Sequence, residues 1–278
     1  MARRRDPEGR MPLGEHLREL RARILKSLLA ILVGAGVSYA FFNPIWSILR
    51  RPYCQVHQPH SIATTANGCG DLVFSSVFDP IIWHLKVAAI GGILLASPIW
   101  LYQLWAFVTP GLHKNERRYA LQFVATAVPL FCGGATLAYF VMSKGLQVLL
   151  NFAPAGTVSL ISIDHYLTYI LAMLLIFGLS FDIPLLVVLL NRIGILSYRR
   201  LAKSRRISYF LAFVFSAVVT PSGDPFTMLA LGVPLVVLLE TATQIARIHD
   251  ARKARAPAAT AYAHLSDDEP SPLDLSTG

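Results

Sequence analysis

A single carboxylate, Glu116, sits in the short stretch "GLHKNERRYA" at residues 111–120, among Lys114, Arg117 and Arg118 and between two long apolar runs. A loop joining two membrane spans needs positive charge to hold its orientation and has no need of an acid. Carboxylates also enter the apolar runs, as Asp182 in "FGLSFDIPLLVVLL" and Glu240 in "GVPLVVLLETATQ". A central Asp costs about 2.5 to 3.5 kcal/mol on insertion scales, so such groups usually face a cavity or a partner. Asp182 has a local alternative: Pro184 removes a backbone donor nearby, and the acid would then hydrate or cap a kink. Two intramembrane titrating groups would also suit an ion-coupled secondary transporter of a small solute.

Near the start, "PLGEHLRELRARI" places Leu13, Leu17, Leu20 and Ile24 at helical spacing, which suggests a helix lying on the membrane surface. Glu15 and Glu19 fall on its opposite face, where Arg18 and Arg23 stand at i,i+3 and i,i+4 and would pair with them for a few tenths of a kcal/mol.

Two other chemistries are weakly suggested. Gly178-Leu179-Ser180 faintly resembles a hydrolase serine motif, but a catalytic serine needs a base within hydrogen-bond reach. The later histidines, His249 and His264, are in the tail, and His165 is about four helical turns away. Cys54 and Cys69 share the segment "RPYCQVHQPHSIATTANGCG", which allows a disulfide closing about fifteen residues or two free thiols. With His57 and His60 between them a zinc site is conceivable, although the spacing fits no familiar pattern.

The elements that must position these groups are membrane spans. Of 278 residues, 54% are hydrophobic and only 15% charged, which excludes an ordinary soluble domain, where about a quarter are charged. Four apolar stretches reach the ~20 residues that cross a bilayer: Ile24 to Phe42, Ile81 to Val108, Tyr119 to Met142 and His165 to Leu190. Two shorter ones, Ile207 to Val219 and Phe226 to Leu239, flank the turn "TPSGDP"; they span a locally thinned bilayer or form a re-entrant hairpin, and flanking basic residues favour spanning. The expected fold is an all-α membrane protein of six transmembrane helices, the last two short.

Twenty-one of the 25 Lys and Arg residues fall in four segments: the N-terminus to Lys26, the loop around Glu116, Arg192 to Arg206, and the tail from Arg247. Six spans put all four on one side, so both termini are expected in the cytoplasm, and the net charge of +9 needs no nucleic acid to explain it. The first apolar run reads as a retained anchor, since "FFNP" offers no small-residue cleavage site. Residues 1–11 read as a basic disordered N-terminus, 12–248 as the membrane domain and 249–278 as a disordered tail rich in Ala, Pro and acid. No G-x-x-x-x-G-K-[ST] loop is present.

The run "SPIWLYQLWAFVTPGLHKNERR", together with "HLRELRARI", "GATLAYF", "FGLSFDIPLLVVLL", "VVTPSGDPFTM" and "VPLVVLLE", resembles the TatC family, the receptor subunits of the twin-arginine protein translocase, from about Pro12 to Ile248. The resemblance implies a glove-shaped bundle with a concave face in the bacterial cytoplasmic membrane. It also implies single-span partners of TatA and TatB type, assembly into a larger oligomeric complex, and export of folded proteins driven by the proton-motive force, with no cofactor and no enzymatic reaction. The family's signal-binding acids are matched by Glu19 and Glu116. Two carboxylates suit a pair of arginines, because each planar guanidinium fork fits a carboxylate bidentately while a lysine offers a point charge. Supporting positions are Arg21, Pro98, Tyr102, Gln103, Trp105, Phe107, Pro110 and Arg117. Asp182 stands where the family often has Glu, and Asp224 matches an acid at the external tip, with capping of the helix near Phe226 as its structural alternative.

Overall fold

A 28-residue helix without a single proline, α1 (Leu13–Ala40), opens the fold. The computed structural model describes residues 13–55, 72–108, 116–151 and 161–261, with side chains described for 17–55, 72–107, 121–151 and 161–253. The sequence reading expected a surface helix before a separate first span. Instead the two are one helix, because nothing between Leu17 and Val33 breaks it and most residues there are strong helix formers.

The chain then turns by 89° at Phe41 into α2 (Phe42–Cys54), which lies beyond the first apolar run of the sequence. Its apolar face, Phe42, Ile45, Trp46, Leu49 and Tyr53, recurs at helical spacing and packs on the core. Pro52 has no N–H to give the carbonyl of Ile48, and the hydroxyl of Tyr139 donates to that oxygen at 2.9 Å instead. Tyr166 donates to the next carbonyl, Leu49, at 2.8 Å.

The second apolar run is one span broken in two, α3 (Asp79–Leu95) and α4 (Ser97–Val108), bent by 60°. The cause is Pro98, which cannot donate to Leu94. Trp100 covers the break from below, its indole N–H reaching the Ile93 carbonyl at 2.9 Å. α1 and α3 cross through small residues: a Cβ on Gly92 would lie 2.6 Å from the Ala35 backbone nitrogen, and one on Gly34 would lie 2.9 Å from the Gly92 carbonyl oxygen.

α5 (Glu116–Asn151) and α6 (Ile163–Arg192) form the centre. Gly134 lies against the Phe177 carbonyl and Gly178 against the Phe131 ring, so the two backbones approach closely. Phe131, Phe177, Leu167, Ile170 and Met173 are fully buried there. On the α3 side, Lys86 crosses to α6, its Nζ 2.5 Å from Asp164 Oδ1 and 2.7 Å from Thr168 Oγ1.

After the six-residue α7 (Tyr198–Lys203) come α8 (Arg205–Val219) and α9 (Pro225–Ala261). α8 has 15 residues, about 22 Å of helix, and is the short span expected. The apolar stretch of α9 is equally short, but the helix continues through its polar C-terminal half to Ala261, into the segment read as a tail; residues 262–278 lie outside the described ones. α5, α6 and α9 are long and apolar enough to cross a membrane, and the bent pairs α1–α2 and α3–α4 bring the number to five if each is one span. With α8 the count is six. Leu25, Leu28, Leu29, Leu32 and Val33 on α1 are half exposed or more, the surface expected where lipid is the solvent.

The α9 extension is clasped to the α6–α7 turn. Asp250 accepts from the Tyr198 backbone N–H at 2.8 Å and from the Asn191 side-chain amide at 3.1 Å, while the same amide donates to the Leu196 carbonyl.

Candidate functional site

Glu19 lies one turn before Arg23 on α1, and the two are paired. Arg23 donates to Glu19 Oε1 through Nε at 3.0 Å and Nη2 at 2.6 Å. Arg23 Nη1 also makes a long contact, 3.5 Å, to Gln103 Oε1 on α4. Both charged side chains are partly exposed. The i,i+4 pairing read from the sequence is therefore present.

α1 and the α3–α4 span run antiparallel: Gly34 faces Gly92, and eleven residues along each chain in opposite directions Arg23 faces Gln103. At this end Trp105 is buried and stacks on Phe123 of α5, ring centroids 5.6 Å apart at 14°, and the Arg192 guanidinium lies over the Phe123 ring at 5.6 Å. Measured from that stack, Glu19 lies about 3 Å and Glu116 about 10 Å further toward the same end, by helical rise. The structure thus brings the start of α1 and the start of α5 to one end of the bundle. Glu116 opens α5, a position where a helix dipole also favours an acid. The side chains of Glu116 and Arg117, and all of Pro110, lie outside the described residues.

Among the remaining supporting positions, Arg21 and Pro98 are exposed, whereas Tyr102, Gln103 and Phe107 are partly buried. Pro98 acts at the mid-span break and touches the site only by aiming α4.

Asp182 is 7% exposed, and neither carboxylate oxygen has a hydrogen-bond partner. It makes no capping hydrogen bond to the backbone around Pro184. Among the described residues it is the one buried carboxylate left wholly unpartnered. Glu240 is the opposite case. It accepts from the Tyr209 hydroxyl, from Gln244 Nε2 at 2.6 Å and from Arg205 Nη2 at 3.2 Å, tying the start of α8 to α9. An acid so engaged is a structural tie, and the secondary-transporter alternative gains no support.

Asp224 is the N-cap of α9, with Pro225 in the first helical position. Its Oδ1 accepts from the Thr227 N–H at 2.8 Å and its Oδ2 from the Thr227 hydroxyl at 2.5 Å, while Ser222 and Thr227 bond to each other at 2.7 Å. Burial works to raise the Asp224 carboxyl, but the hydroxyls of Ser222 and Thr227 and the N–H groups of Thr227 and Phe226 outweigh it and hold the group below its ordinary value. Gly223, at φ +60°, supplies the left-handed turn that brings the acid round.

Ser180 is 2% exposed and its hydroxyl donates to the Ile176 carbonyl one turn back. Cys54 is disulfide-bonded and Cys132 is a free thiol. Cys69, His57 and His60 lie outside the described residues. Among the described residues no three His, Cys, Asp or Glu side chains gather as a metal site.

The family model for TatC, described as Sec-independent protein translocase protein (TatC), matches residues 15–234, and that span holds the α1 acid, the α4–α5 turn and the buried Asp182. The chain belongs to the TatC family. A Sec-independent protein translocase protein TatC from Frankia casuarinae is 49% identical over 273 residues, covering 96% of this chain and 74% of the relative. The TatC of Aquifex aeolicus is 30% identical over 246 residues, covering 87% of this chain and 98% of its own length. Two crystal structures of the twin-arginine translocase receptor TatC superpose with TM-scores of 0.66 and 0.64, at 29% and 30% identity, and cover 83% and 84% of this chain and 99% and 98% of theirs. As a member of this family the chain is a protein-transport component and not an enzyme.

Proposed function

We propose that this chain is the receptor and core of twin-arginine translocation, holding the arginine pair of a signal peptide between Glu19 and Glu116 and passing folded cargo across the membrane. The observation that carries the proposal is the Glu19 carboxylate itself. It stands at the open end of the bundle and already holds a guanidinium through two N–H donors, the chemistry a signal arginine needs. Glu116 opens α5 at the same end and offers the second acid. Arg21, Arg117 and the Trp105–Phe123 stack support this end by charge and packing.

The basic segments support a location in the bacterial cytoplasmic membrane with both termini inside, and the proton-motive force supplies the energy in a chain without a nucleotide loop. Single-span partners of TatA and TatB type would pack in the membrane against the bundle. Cys54 pairs with Cys69 in this reading, since Cys132 is free.

The test is site-specific crosslinking in native membranes between positions beside Glu116 and a signal peptide carrying Arg-Arg or Lys-Lys. The expected crosslink requires the arginine pair and weakens in both Glu19→Ala and Glu116→Ala. Equal crosslinking with Lys-Lys and in both variants would overturn the proposal.

A further inference from the structure

We infer that Arg23 is an internal stand-in for the signal's guanidinium, occupying Glu19 in the resting chain and leaving it when a signal binds. The inference rests on the receptor reading of Glu19 given above. Both Arg23 donors fall on one oxygen, Oε1, and Oε2 makes no hydrogen bond among the described residues. A guanidinium docking as a fork uses both carboxylate oxygens, one N–H to each. With Arg23 in place the incoming arginine is offered one oxygen and meets a like charge within a few ångströms, so full engagement requires Arg23 to swing away.

Gln103 Oε1 on the neighbouring α4 already lies 3.5 Å from Arg23 Nη1, so the displaced guanidinium moves toward an acceptor and is not stranded. The partial exposure of both side chains leaves room for that movement. The exchange is isosteric: one guanidinium leaves as another arrives.

This device lowers affinity without sharpening selectivity. A lysine ammonium can use the free Oε2 as a point charge while Arg23 stays, whereas the arginine fork needs the pair broken, so any preference for arginine comes from the fork geometry and not from Arg23. What Arg23 adds is reversibility, because the carboxylate regains a partner as the signal departs.

The experiment is a double-mutant cycle on the full chain in lipid nanodiscs, reading equilibrium binding of a fluorescent Arg-Arg signal peptide. Arg23→Gln should tighten Kd two- to threefold, the scale of a partly exposed i,i+4 ion pair. Arg23→Lys, which keeps the charge but loses the fork, should tighten it less, and neither change should matter in a Glu19→Gln background. Arg18→Gln is the control for simple loss of positive charge. If Glu19→Gln leaves binding unchanged, the receptor reading falls and this inference falls with it. Should Glu19→Gln weaken binding while Arg23→Gln leaves it unchanged or weakens it, only the stand-in role is overturned, and Arg23 orients the acid. Tightening that persists without Glu19, or that Arg18→Gln reproduces, overturns it equally.

Discussion

Within the four letters "GAGV" of α1, the same substitution should have opposite effects at two positions. A Cβ at Gly36 meets nothing within 4 Å, whereas one at Gly34 falls 2.9 Å from the Gly92 carbonyl oxygen and 3.2 Å from the Gly92 Cα. Gly36→Ala therefore gains helix propensity, about 0.5–1 kcal/mol, with no steric cost. Gly34→Ala gains the same increment but pushes on backbone that cannot rotate away. Relieving the contact separates α1 from α3 by a few tenths of an ångström along the whole crossing, and overpacking of this kind costs about 1–3 kcal/mol. The net loss is about 0–2.5 kcal/mol. Gly92→Ala, whose Cβ would lie 2.6 Å from Ala35 N and 2.8 Å from its Cα, should be worse. Thermal unfolding in detergent, followed by far-ultraviolet circular dichroism, should place Gly36→Ala above the parent, then Gly34→Ala below it and Gly92→Ala lowest. Equal shifts for Gly34→Ala and Gly36→Ala would show that the crossing is not held by backbone contact.

Tyr139→Phe should lower the same unfolding midpoint by the equivalent of about 0.5–1.5 kcal/mol, because the Ile48 carbonyl then loses its donor and Pro52 cannot replace it; a midpoint equal to the parent's would show that the oxygen finds water. For Asp224, whose folded carboxyl is held below the ordinary value of 3.8, the sign follows from linkage: its contribution is fully present above the unfolded value and is lost as pH falls through the folded one. Stability should decline in that acid window in the parent and less steeply in Asp224→Asn, as read from unfolding midpoints against pH. Glu240→Leu should free the start of α8 from α9, raising hydrogen exchange at Arg205–Tyr209 while leaving α5 and α6 protected; unchanged exchange there would show that packing alone holds α8. Mass mapping of peptides before and after reduction should find Cys54 joined to Cys69, and an alkylated Cys54 in the unreduced chain would refute that pairing.

Much of this fold is written in local pattern. The Glu19–Arg23 pair follows from spacing on one helix, and the cap at Asp224 follows from a turn sequence ending in Pro. The apolar cores of α5 and α6 follow from runs long enough to span, although each helix carries an internal proline and α5 runs on past Met142 to Asn151. What escaped is either amphipathic or distant. α2 is too short for a span, and Arg50, Arg51 and Pro52 disguise it as loop; its anchors, Tyr139 and Tyr166, stand 91 and 117 residues from the carbonyls they hold. Pro98 announces a break but not a 60° bend, which depends on how α4 packs on α1 and α5. For Glu240 the sequence offered a costly intramembrane acid, and its resolution needed Arg205 and Tyr209 from the neighbouring helix. Asp182 shows the converse, for its cost was legible and the fold does not relieve it.

The unbroken course of α1 makes a lever arm of its first half. From the crossing at Gly34 to Glu19 is fifteen residues, about 22 Å of continuous helix with no hinge in it. With the glycine crossing as fulcrum, a change in tilt of about 10° would sweep Glu19 through about 4 Å, further than the reach of a hydrogen bond. The slant of the first span thus steers where the acid points, and a tilt at the glycine crossing can aim or withdraw a group fifteen residues away.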